Sequence, residues 1–436
     1  MDADLRTFMA DLERRGQLAR IAVEVDPDQE INIIQHRVIA AGGPALLFER
    51  VKGSPFRLVS NLFGTPERAA LAFGGPPRLM GERVARVARR LMPPSLSGIW
   101  RSRDDLRRLL PVRMRQVKQG PILDRCFEPP DLNRLPVLTC WPDDGGPFFT
   151  LPLVHTTDPV TGVGNLGIYR LQRFDAAATG MHWQIEKGGG FHFHAAARAG
   201  RPLPVSVILG GPPALILSAV APLPEGIDER LLAAYLMGRP LAVIRRAVTG
   251  HRIPAGAEFV LEGEVRPGDA RLEGPFGDHF GHYSAAADYP VFRVRRMLAR
   301  RDAIYPATVV GKPKQEDYFI GEALQELTMP LLRMVKPAIA DLWAYPETGF
   351  HPLAVVAARS RYPREALKFA LGMLGEGQLS LTKVMMVVDP EVAVRDFKAV
   401  SRAVWRNLTS DGLHLLVPTA QDTLDFTGPA MNTGSR

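Results

Sequence analysis

This sequence of 436 residues has little cysteine and no long apolar run. Its two cysteines, Cys126 and Cys140, fit neither a zinc motif nor a disulfide framework, so we expect buried thiols in a reducing cytoplasm. No uninterrupted apolar stretch approaches the ~20 residues of a membrane helix. The start, Met1-Asp-Ala-Asp-Leu-Arg, is acidic and amphipathic, unlike a signal peptide. These absences argue against a secreted disulfide scaffold and against stable insertion in a membrane.

The charge balance is basic. The chain has a formal net charge of +8 at pH 7 and a sequence pI of about 9.6. No zinc finger, RNP-like box or basic helix accompanies this excess, so we expect no nucleic-acid partner. We interpret the excess as compositional bias that also suits anionic small molecules such as carboxylates and phosphates.

Length and composition indicate a folded chain of about two to three domains. Alternating β and α patterns predict an N-terminal α/β domain over 1–115, and short strands punctuated by Gly and Pro predict a central split β-barrel domain over 116–305. An α/β pattern returns over 306–436, although the tail after Asp422 lacks periodicity. The predicted helices cover 3–15, 29–41, 228–237, 320–336, 362–376 and 390–408, and the predicted strands cover 21–25, 45–48, 205–209, 215–218, 259–265, 291–297, 352–358 and 383–388.

Two carboxylates flank a tight turn in the segment Glu273-Gly-Pro-Phe-Gly-Asp278. Gly adopts backbone conformations that other residues rarely adopt, and Pro fixes φ. This turn can therefore bring both acidic side chains into one cleft. Paired acids in a cleft are a usual means of moving protons. The alternative is a pair of solvated or capping turn acids.

Arg170 is the best candidate partner for these acids. A guanidinium between two carboxylates keeps them ionised and oriented, and it can also hold a substrate carboxylate. The alternative, in a chain so rich in arginine, is a surface residue.

Further candidates lie in the same central region. Asn165, Glu186 and Glu229 can supply oxygen ligands to Mn²⁺ or Mg²⁺, although a solvated acid in the first turn of a helix also explains Glu229. Lys187 precedes the run Gly188-Gly-Gly190, which suits a phosphate and equally suits a flexible turn.

Two pairs of histidines are also candidates. The alternation of Phe191-His-Phe-His194 predicts a strand with both histidines on one face, either at a metal or, more commonly, at a surface or barrel lining. His279 and His282 follow the acid turn, and their roles stay open.

Four segments occur in register along the middle of the chain: Asn165 to Arg170, Met181 to Gly188, Pro222 to Gly226 with Glu229, and Glu273 to Asp278. Together they resemble the ordered signatures of the UbiD-type decarboxylases. That family comprises prenylated-flavin-dependent enzymes of ubiquinone and menaquinone synthesis and of aromatic-acid metabolism. The likeness extends less sharply to both ends, for instance at 383–389.

The resemblance implies roles for individual residues. It gives Arg170, Glu273 and Asp278 as the catalytic network, with Asp278 as proton donor where some members carry Glu. It gives Asn165 and Glu229 as ligands of a metal that bridges to the cofactor phosphate. The implied cofactor-binding residues are Asn165, Ile168, Tyr169, Arg170, His182, Trp183, Gln184, Lys187, Gly188 and Glu229.

The same resemblance implies the reaction and its partners. The expected activity is reversible, non-oxidative decarboxylation of an aromatic or α,β-unsaturated acid, with prenylated FMN, Mn²⁺ or Mg²⁺, and K⁺ as cofactors. A flavin prenyltransferase would supply the flavin, and the protein would be a cytoplasmic homodimer or higher homo-oligomer with an interface in its C-terminal part.

Substrate and metal carry specific expectations. The N-terminal region and the run from Met181 to Gln184 are similar to members that act on hydroxynaphthoate-like acids of menaquinone synthesis. The alternative substrate is a 4-hydroxy-3-polyprenylbenzoate of ubiquinone synthesis. Many members place a metal-binding His where this chain has Glu186, which can either bind the metal or pair with a nearby base.

Two rival interpretations belong to other classes of protein. A flavin-binding protein without decarboxylase activity would share the phosphate site and would tolerate substitution of Asp278. A nucleic-acid-binding protein would bind DNA with a steep salt dependence.

Overall fold

A computed structural model describes residues 4–184, 187–223, 226–350, 352–416 and 424–425. The chain folds into two compact units, the first formed by residues 1–75 and 107–320, the second by 76–106 and 321–436. The α-helices of the described residues are α1 Leu5–Arg14, α2 Glu30–Ala40, α3 Pro66–Phe73, α4 Pro77–Arg90, α5 Leu96–Arg101, α6 Arg103–Arg107, α7 Gly188–Arg198, α8 Pro213–Ser218, α9 Glu229–Met237, α10 Glu316–Val335, α11 Glu365–Leu374 and α12 Phe397–Asn407.

The strands, in chain order, are β1 Leu18–Val25, β2 Ala45–Val51, β3 Arg57–Ser60, β4 Met114–Gln116, β5 Arg125–Phe127, β6 Phe148–Phe149, β7 Leu153–Thr157, β8 Gly164–Ile168, β9 Leu171–Gln172, β10 Ala178–Gly180, β11 Leu203–Leu209, β12 Leu241–Arg245, β13 Arg252–Pro254, β14 Phe259–Glu273, β15 Phe276–Gly277, β16 Tyr283–Ser284, β17 Ala287–Ala299, β18 Ile304–Pro306, β19 Ile339–Ala344, β20 Leu353–Ala358 and β21 Val384–Val388. The predicted mixed α/β fold class is confirmed. The bounds of the three predicted domains stay a prediction.

The first unit begins with a helix and a small mixed sheet. Asp4 caps the start of helix α1, because its side chain accepts from the Thr7 N–H in a capping box. The helix buries the apolar stripe predicted from the sequence. The adjoining sheet has the order β1-β2-β3-β18, so its last strand comes from residues 304–306.

A larger antiparallel sheet occupies the centre of the same unit, with the order β10-β17-β14-β11-β7-β8. The long strands β14 and β17 pair from Phe259–Ala299 to Glu273–Ala287, across two register shifts. Strand β14 therefore carries the chain from a buried apolar core to Glu273 at its far end. At the other side, the β7–β8 pair presents Asn165 opposite Thr156.

Two predicted strands are wrong. Residues 215–218 belong to helix α8, in which every residue is buried. A short apolar run that is buried on all sides has no period, and Pro213 in the first turn favours a helix. Residues 191–194 belong to helix α7, so His192 is buried while His194 is exposed. An alternation over only four residues does not distinguish the two-residue period of a strand from the 3.6-residue period of a helix.

The second unit contains the sheet β19-β20-β21, in which β19 and β20 are antiparallel and β20 and β21 are parallel. Helices α11 and α12 pack against β21, and two small apolar clusters form the core. The helices and strands predicted for this region are present, although α12 begins later than expected. Most of the C-terminal tail lies outside the described residues. Among those described, no helix combines the length and apolar character needed to cross a membrane.

Candidate active site

The acid turn joins the end of β14 to the short strand β15. Gly274 has φ +94°, a value that favours glycine, and a Cβ there would lie 3.2 Å from the main-chain α-carbon of Ala286. Glu273 is fully buried and Asp278 is 5% exposed. Both carboxylates therefore lie in the interior rather than in solvent, as the catalytic interpretation of this turn requires.

Arg170 joins the two acids. Its Nε donates to Glu273 Oε1 at 3.0 Å, and its Nη1 donates to Asp278 Oδ2 at 2.8 Å. The Arg170 side chain is only 8% exposed, and its guanidinium lies 4.8 Å from the centroid of the Phe276 ring. Its Nη2 is buried and has no hydrogen-bond partner among the residues the structure describes. The structure thus brings together the three side chains that the sequence singled out, and it leaves one donor for a further anion.

Electrostatics keep both acids ionised. Burial opposes the charge on Asp278, but His279 and the Arg170 guanidinium outweigh it and hold the pKa of this carboxyl well below its usual range. For Glu273 burial acts in the same direction, and His182 and Arg170 together lower the pKa below its usual value. At neutral pH the resting site therefore holds two carboxylates around one guanidinium.

His182 completes the contacts of Glu273. Its Nδ1 lies 2.9 Å from Glu273 Oε2, and its ring stacks on Tyr289 with centroids 4.2 Å apart. Burial and the nearby Arg170 charge lower the pKa of His182, so the neutral ring donates its Nδ1–H to Glu273. His182 therefore fixes the orientation of the carboxylate that holds Arg170.

The loop before β6 pins the acid turn from outside. Asp144 Oδ1 accepts from the Gly277 N–H at 2.8 Å, and its Oδ2 accepts from the backbone of Cys140 and Trp141. Gln172 Oε1 accepts from the Gly274 N–H at 2.8 Å. Sequence reasoning missed Asp144 and Gln172 because neither belongs to a motif, and their partners in the acid turn lie more than 100 positions away.

A second cluster lies at the β8 end of the sheet. Glu229, in the first turn of α9, accepts from the Leu166 N–H at 2.8 Å, which places its carboxylate beside Asn165. Burial raises the pKa of Glu229 to about 7. The Asn165 Nδ2 is buried without a partner in the described part of the chain. The Glu229 carboxyl and the Asn165 amide can therefore each contact a ligand at this end of the sheet.

Helix α7 starts against this cluster. Gly188 opens the helix, and a Cβ at that position would lie 2.3 Å from Asn165 Oδ1. The Gly189 N–H donates to the Tyr169 hydroxyl at 2.9 Å. Because the first turn of a helix presents backbone N–H groups and a positive dipole end, this cradle suits a phosphate.

The remaining predicted residues fall into three groups. Ile168, Gln184 and Lys187 are half-buried, and Trp183 packs between Tyr169 and Phe193 with ring centroids 5.1 and 6.0 Å away. Glu186 lies outside the described residues. Among those described, no group of three or more His, Cys, Asp and Glu side chains is arranged to hold a metal ion.

Three sequence models of one family cover nearly the whole chain. The N-terminal domain of the 3-octaprenyl-4-hydroxybenzoate carboxy-lyase family, UbiD, matches residues 9–88. Its Rift-related domain matches residues 115–313, and its C-terminal domain matches residues 318–436.

Individual relatives agree. A protein of Chlamydia pneumoniae, named as one of the subunits of a 4-hydroxybenzoate decarboxylase, is 45% identical over 99% of this chain and 74% of its own length. An evolved dimeric form of the UbiD-class enzyme HmfF from Pelotomaculum thermopropionicum, solved with prFMN, is 30% identical with a TM-score of 0.78, covering 93% of this chain and 90% of its own. Vanillic acid decarboxylase of Sedimentibacter hydroxybenzoicus is 24% identical with a TM-score of 0.82, covering 93% and 84% of the two chains, which shows the shared fold. The chain belongs to the UbiD family of carboxy-lyases.

Proposed function

We propose that this protein catalyses the reversible, non-oxidative decarboxylation of an aromatic or α,β-unsaturated carboxylic acid with prenylated FMN. The observation that carries the proposal is the buried Glu273–Arg170–Asp278 array, which lies in the same unit as a helix N-terminus suited to phosphate. When bound, prenylated FMN would supply the electron sink that decarboxylation of such an acid needs and that no side chain can provide.

The residues present fit such a cofactor. Asn165 Nδ2 lacks a partner among the described residues, and the absence of a Cβ on Gly188 lets the Asn165 side chain lie against the first turn of α7. Asn165 and Glu229 would hold a Mn²⁺ or Mg²⁺ ion that neutralises the phosphate, since both metal ions bind amide and carboxylate oxygens. Ligation by Glu186 and a K⁺ ion belong to the same proposal, and they rest on the family resemblance alone.

The array assigns a task to each side chain. Arg170 orients the substrate carboxylate with the donor that the two acids leave free. Asp278 gives the product carbon the proton that replaces CO₂. Glu273, held by His182, keeps Arg170 charged and in place.

Two substrates are in question. We favour a hydroxynaphthoate-like acid of menaquinone synthesis, because the N-terminal region and the run from Met181 to Gln184 are similar to members with that role. The alternative, a 4-hydroxy-3-polyprenylbenzoate, is supported by the description of the matching family, and the chlamydial relative is named for 4-hydroxybenzoate.

The test is co-expression with a flavin prenyltransferase, followed by absorption spectroscopy and mass spectrometry of the released cofactor. We expect bound prenylated FMN and CO₂ release from naphthoates in preference to benzoates. The variant Asp278→Asn should keep the cofactor and lose turnover. If Asp278→Asn leaves the protein's function intact, the rival interpretation of a flavin-binding protein without decarboxylase activity is correct.

A further inference from the structure

Helix α5 presents an apolar face that no described part of the chain covers. Leu96, Ile99 and Trp100 are spaced i, i+3 and i+4, so they lie on one side of the helix. These residues are 87%, 48% and 69% exposed, and Met92, shortly before the helix, is 69% exposed. Apolar residues scattered singly over a surface are normal, whereas a group on one helix face indicates an interaction site.

The packing of α5 directs this face outward. Gly98 lies about half a turn round the helix from it and is buried, and an added Cβ there would lie 2.4 Å from the main-chain oxygen of Arg90. Arg90 ends α4, which packs in turn on α10, since a Cβ on Gly81 would lie 2.1 Å from the Leu327 oxygen. Both contacts involve backbone and lie within the second unit, so α5 is held with its apolar side away from its support.

Arginines flank the apolar face. The segment 76–106 contains seven arginines and three acids. Arg89 and Arg90 precede α5, Arg101 and Arg103 stand at its end, and all four are exposed. The Arg103 guanidinium lies 4.7 Å from the centroid of the Trp100 ring. An apolar centre with a cationic border complements a surface that carries negative charge outside and an apolar layer beneath.

A bilayer of anionic lipid fits this combination better than other occupants do. Tryptophan and aliphatic side chains enter the boundary between headgroups and acyl chains, while arginine reaches back to the lipid phosphates. A second copy of the chain, docked on this face through a two-fold axis, would place the same arginines opposite one another. A nucleic acid offers phosphates but no apolar layer to receive Leu96 and Met92.

We propose that the second unit adsorbs through helix α5 to the surface of a membrane that contains anionic phospholipid. Leu96, Ile99 and Trp100 enter the headgroup boundary, and the flanking arginines contact lipid phosphates. A protein held there meets acids that are dissolved in the bilayer, a class that includes the polyprenylbenzoate considered above. Adsorption itself does not depend on the proposed decarboxylation.

Co-sedimentation of the whole purified chain with vesicles is the test. Vesicles of phosphatidylcholine alone are compared with vesicles in which about a third of the lipid is phosphatidylglycerol. The variants are Leu96→Ser, Trp100→Ser and the combination of both. Val160→Ser is the matched control, since Val160 is 78% exposed in the turn between β7 and β8. Thermal unfolding establishes that each variant is folded.

We expect wild type to bind the anionic vesicles at least about tenfold more tightly than the neutral ones, and to lose most of this binding as NaCl rises from about 50 to 500 mM. The double variant should bind at least about tenfold more weakly than wild type, and Val160→Ser should stay within about twofold. Brominated lipid should quench the tryptophan emission of wild type. Trp100→Phe should keep vesicle binding and remove most of this quenching.

Adsorption through α5 is wrong if wild type does not bind anionic vesicles, or if the double variant binds them as wild type does. Sedimentation velocity and a fluorescent DNA duplex, both without lipid, identify the other occupants. A smaller assembly mass in the double variant would assign the face to a second copy, and DNA binding that the double variant loses would assign it to nucleic acid. Either result overturns the proposal. None of these measurements uses cofactor or substrate, so a failure here does not bear on the proposed decarboxylase function.

Discussion

Arg170 holds two buried carboxylates, an arrangement that stability does not explain. Taking charges out of water costs several kcal/mol per ion, and a buried ion pair is often no more stable than an apolar replacement. The side chains of Arg170, Glu273 and Asp278 are each less than one-tenth exposed. Because apolar side chains would stabilise this part of the core equally well, the chemistry of the site is the better explanation for three buried charges.

Arg170→Lys tests whether the site needs the separate nitrogens of a guanidinium or only its positive charge. Lysine keeps the charge but has a single ammonium, which cannot present separate nitrogens to Glu273, Asp278 and a substrate carboxylate. We expect the rate of CO₂ release to fall at least about 100-fold with the flavin still bound. The measurement is turnover of loaded enzyme together with cofactor absorbance.

Arg271→Lys is the matched control for that substitution, since Arg271 is half-exposed and pairs with Asp175 at the surface. It should leave turnover within about twofold of wild type. Equal losses in both variants would mean that a general loss of arginine contacts, rather than the site geometry, explains the effect.

Among the structural elements, the acid turn depends on a loop that is remote in sequence. Asp144→Asn replaces one acceptor oxygen by an NH₂ group, which cannot accept from both the Gly277 N–H and the Cys140 and Trp141 N–H groups. We expect a loss of about 1–3 kcal/mol in the free energy of unfolding and a fall in turnover. Urea unfolding and CO₂ release measure the two effects.

Asp143→Asn is the neighbouring control, because Asp143 is exposed. Asp143→Asn should change neither the free energy of unfolding nor turnover. An Asp144→Asn variant with normal stability and turnover would show that the turn holds its conformation without these hydrogen bonds.

The start of α7 offers a steric test. Alanine at Gly188 would place its Cβ 2.3 Å from Asn165 Oδ1 and would displace a proposed ligand of the metal and phosphate. We expect Gly188→Ala to lose bound flavin at least about tenfold while the chain stays folded, as measured by flavin absorbance and thermal unfolding. Gly372→Ala in α11 is the control, since its Cβ would find the nearest atom 3.7 Å away. Normal flavin content in Gly188→Ala would remove Asn165 from the proposed site.

The sequence predicted elements well where a pattern runs long enough. Helix α1 repeats its period over 10 residues, and the alternation within residues 259–265 predicted the first half of the 15-residue strand β14. Helix α8 has six buried residues, and the four residues 191–194 of α7 fit either period. The three catalytic candidates could be proposed because two acids flank a Gly-Pro turn, a guanidinium suits such a pair, and the family resemblance names all three. Asp144 and Gln172 could not, because what distinguishes them is contact with the acid turn, which is distant in sequence.

At the scale of the whole molecule, folding assembles the site from distant parts of the chain. Arg170 and Glu273 are 103 positions apart, and Arg170 and Asp278 are 108 apart. The lowered pKa of Asp278 is therefore a property of the folded chain, since Arg170 lies far from Asp278 in the unfolded chain. A group whose pKa is lowered on folding makes stability depend on pH.

The sign of that dependence follows from the direction of the shift. The pKa of Asp278 is lower in the folded chain than its usual value of 3.8, so its contribution to stability is present above about pH 4 and is lost as the pH falls further. In the cofactor-free protein, we expect Asp278→Asn to be less stable than wild type by about 2 kcal/mol at pH 7, and this gap should narrow below pH 4. Urea unfolding across this pH range measures the gap, with Asp143→Asn as the exposed control. Other acids titrate equally in both proteins and cancel, so a gap that does not change with pH would mean that folding does not hold Asp278 ionised.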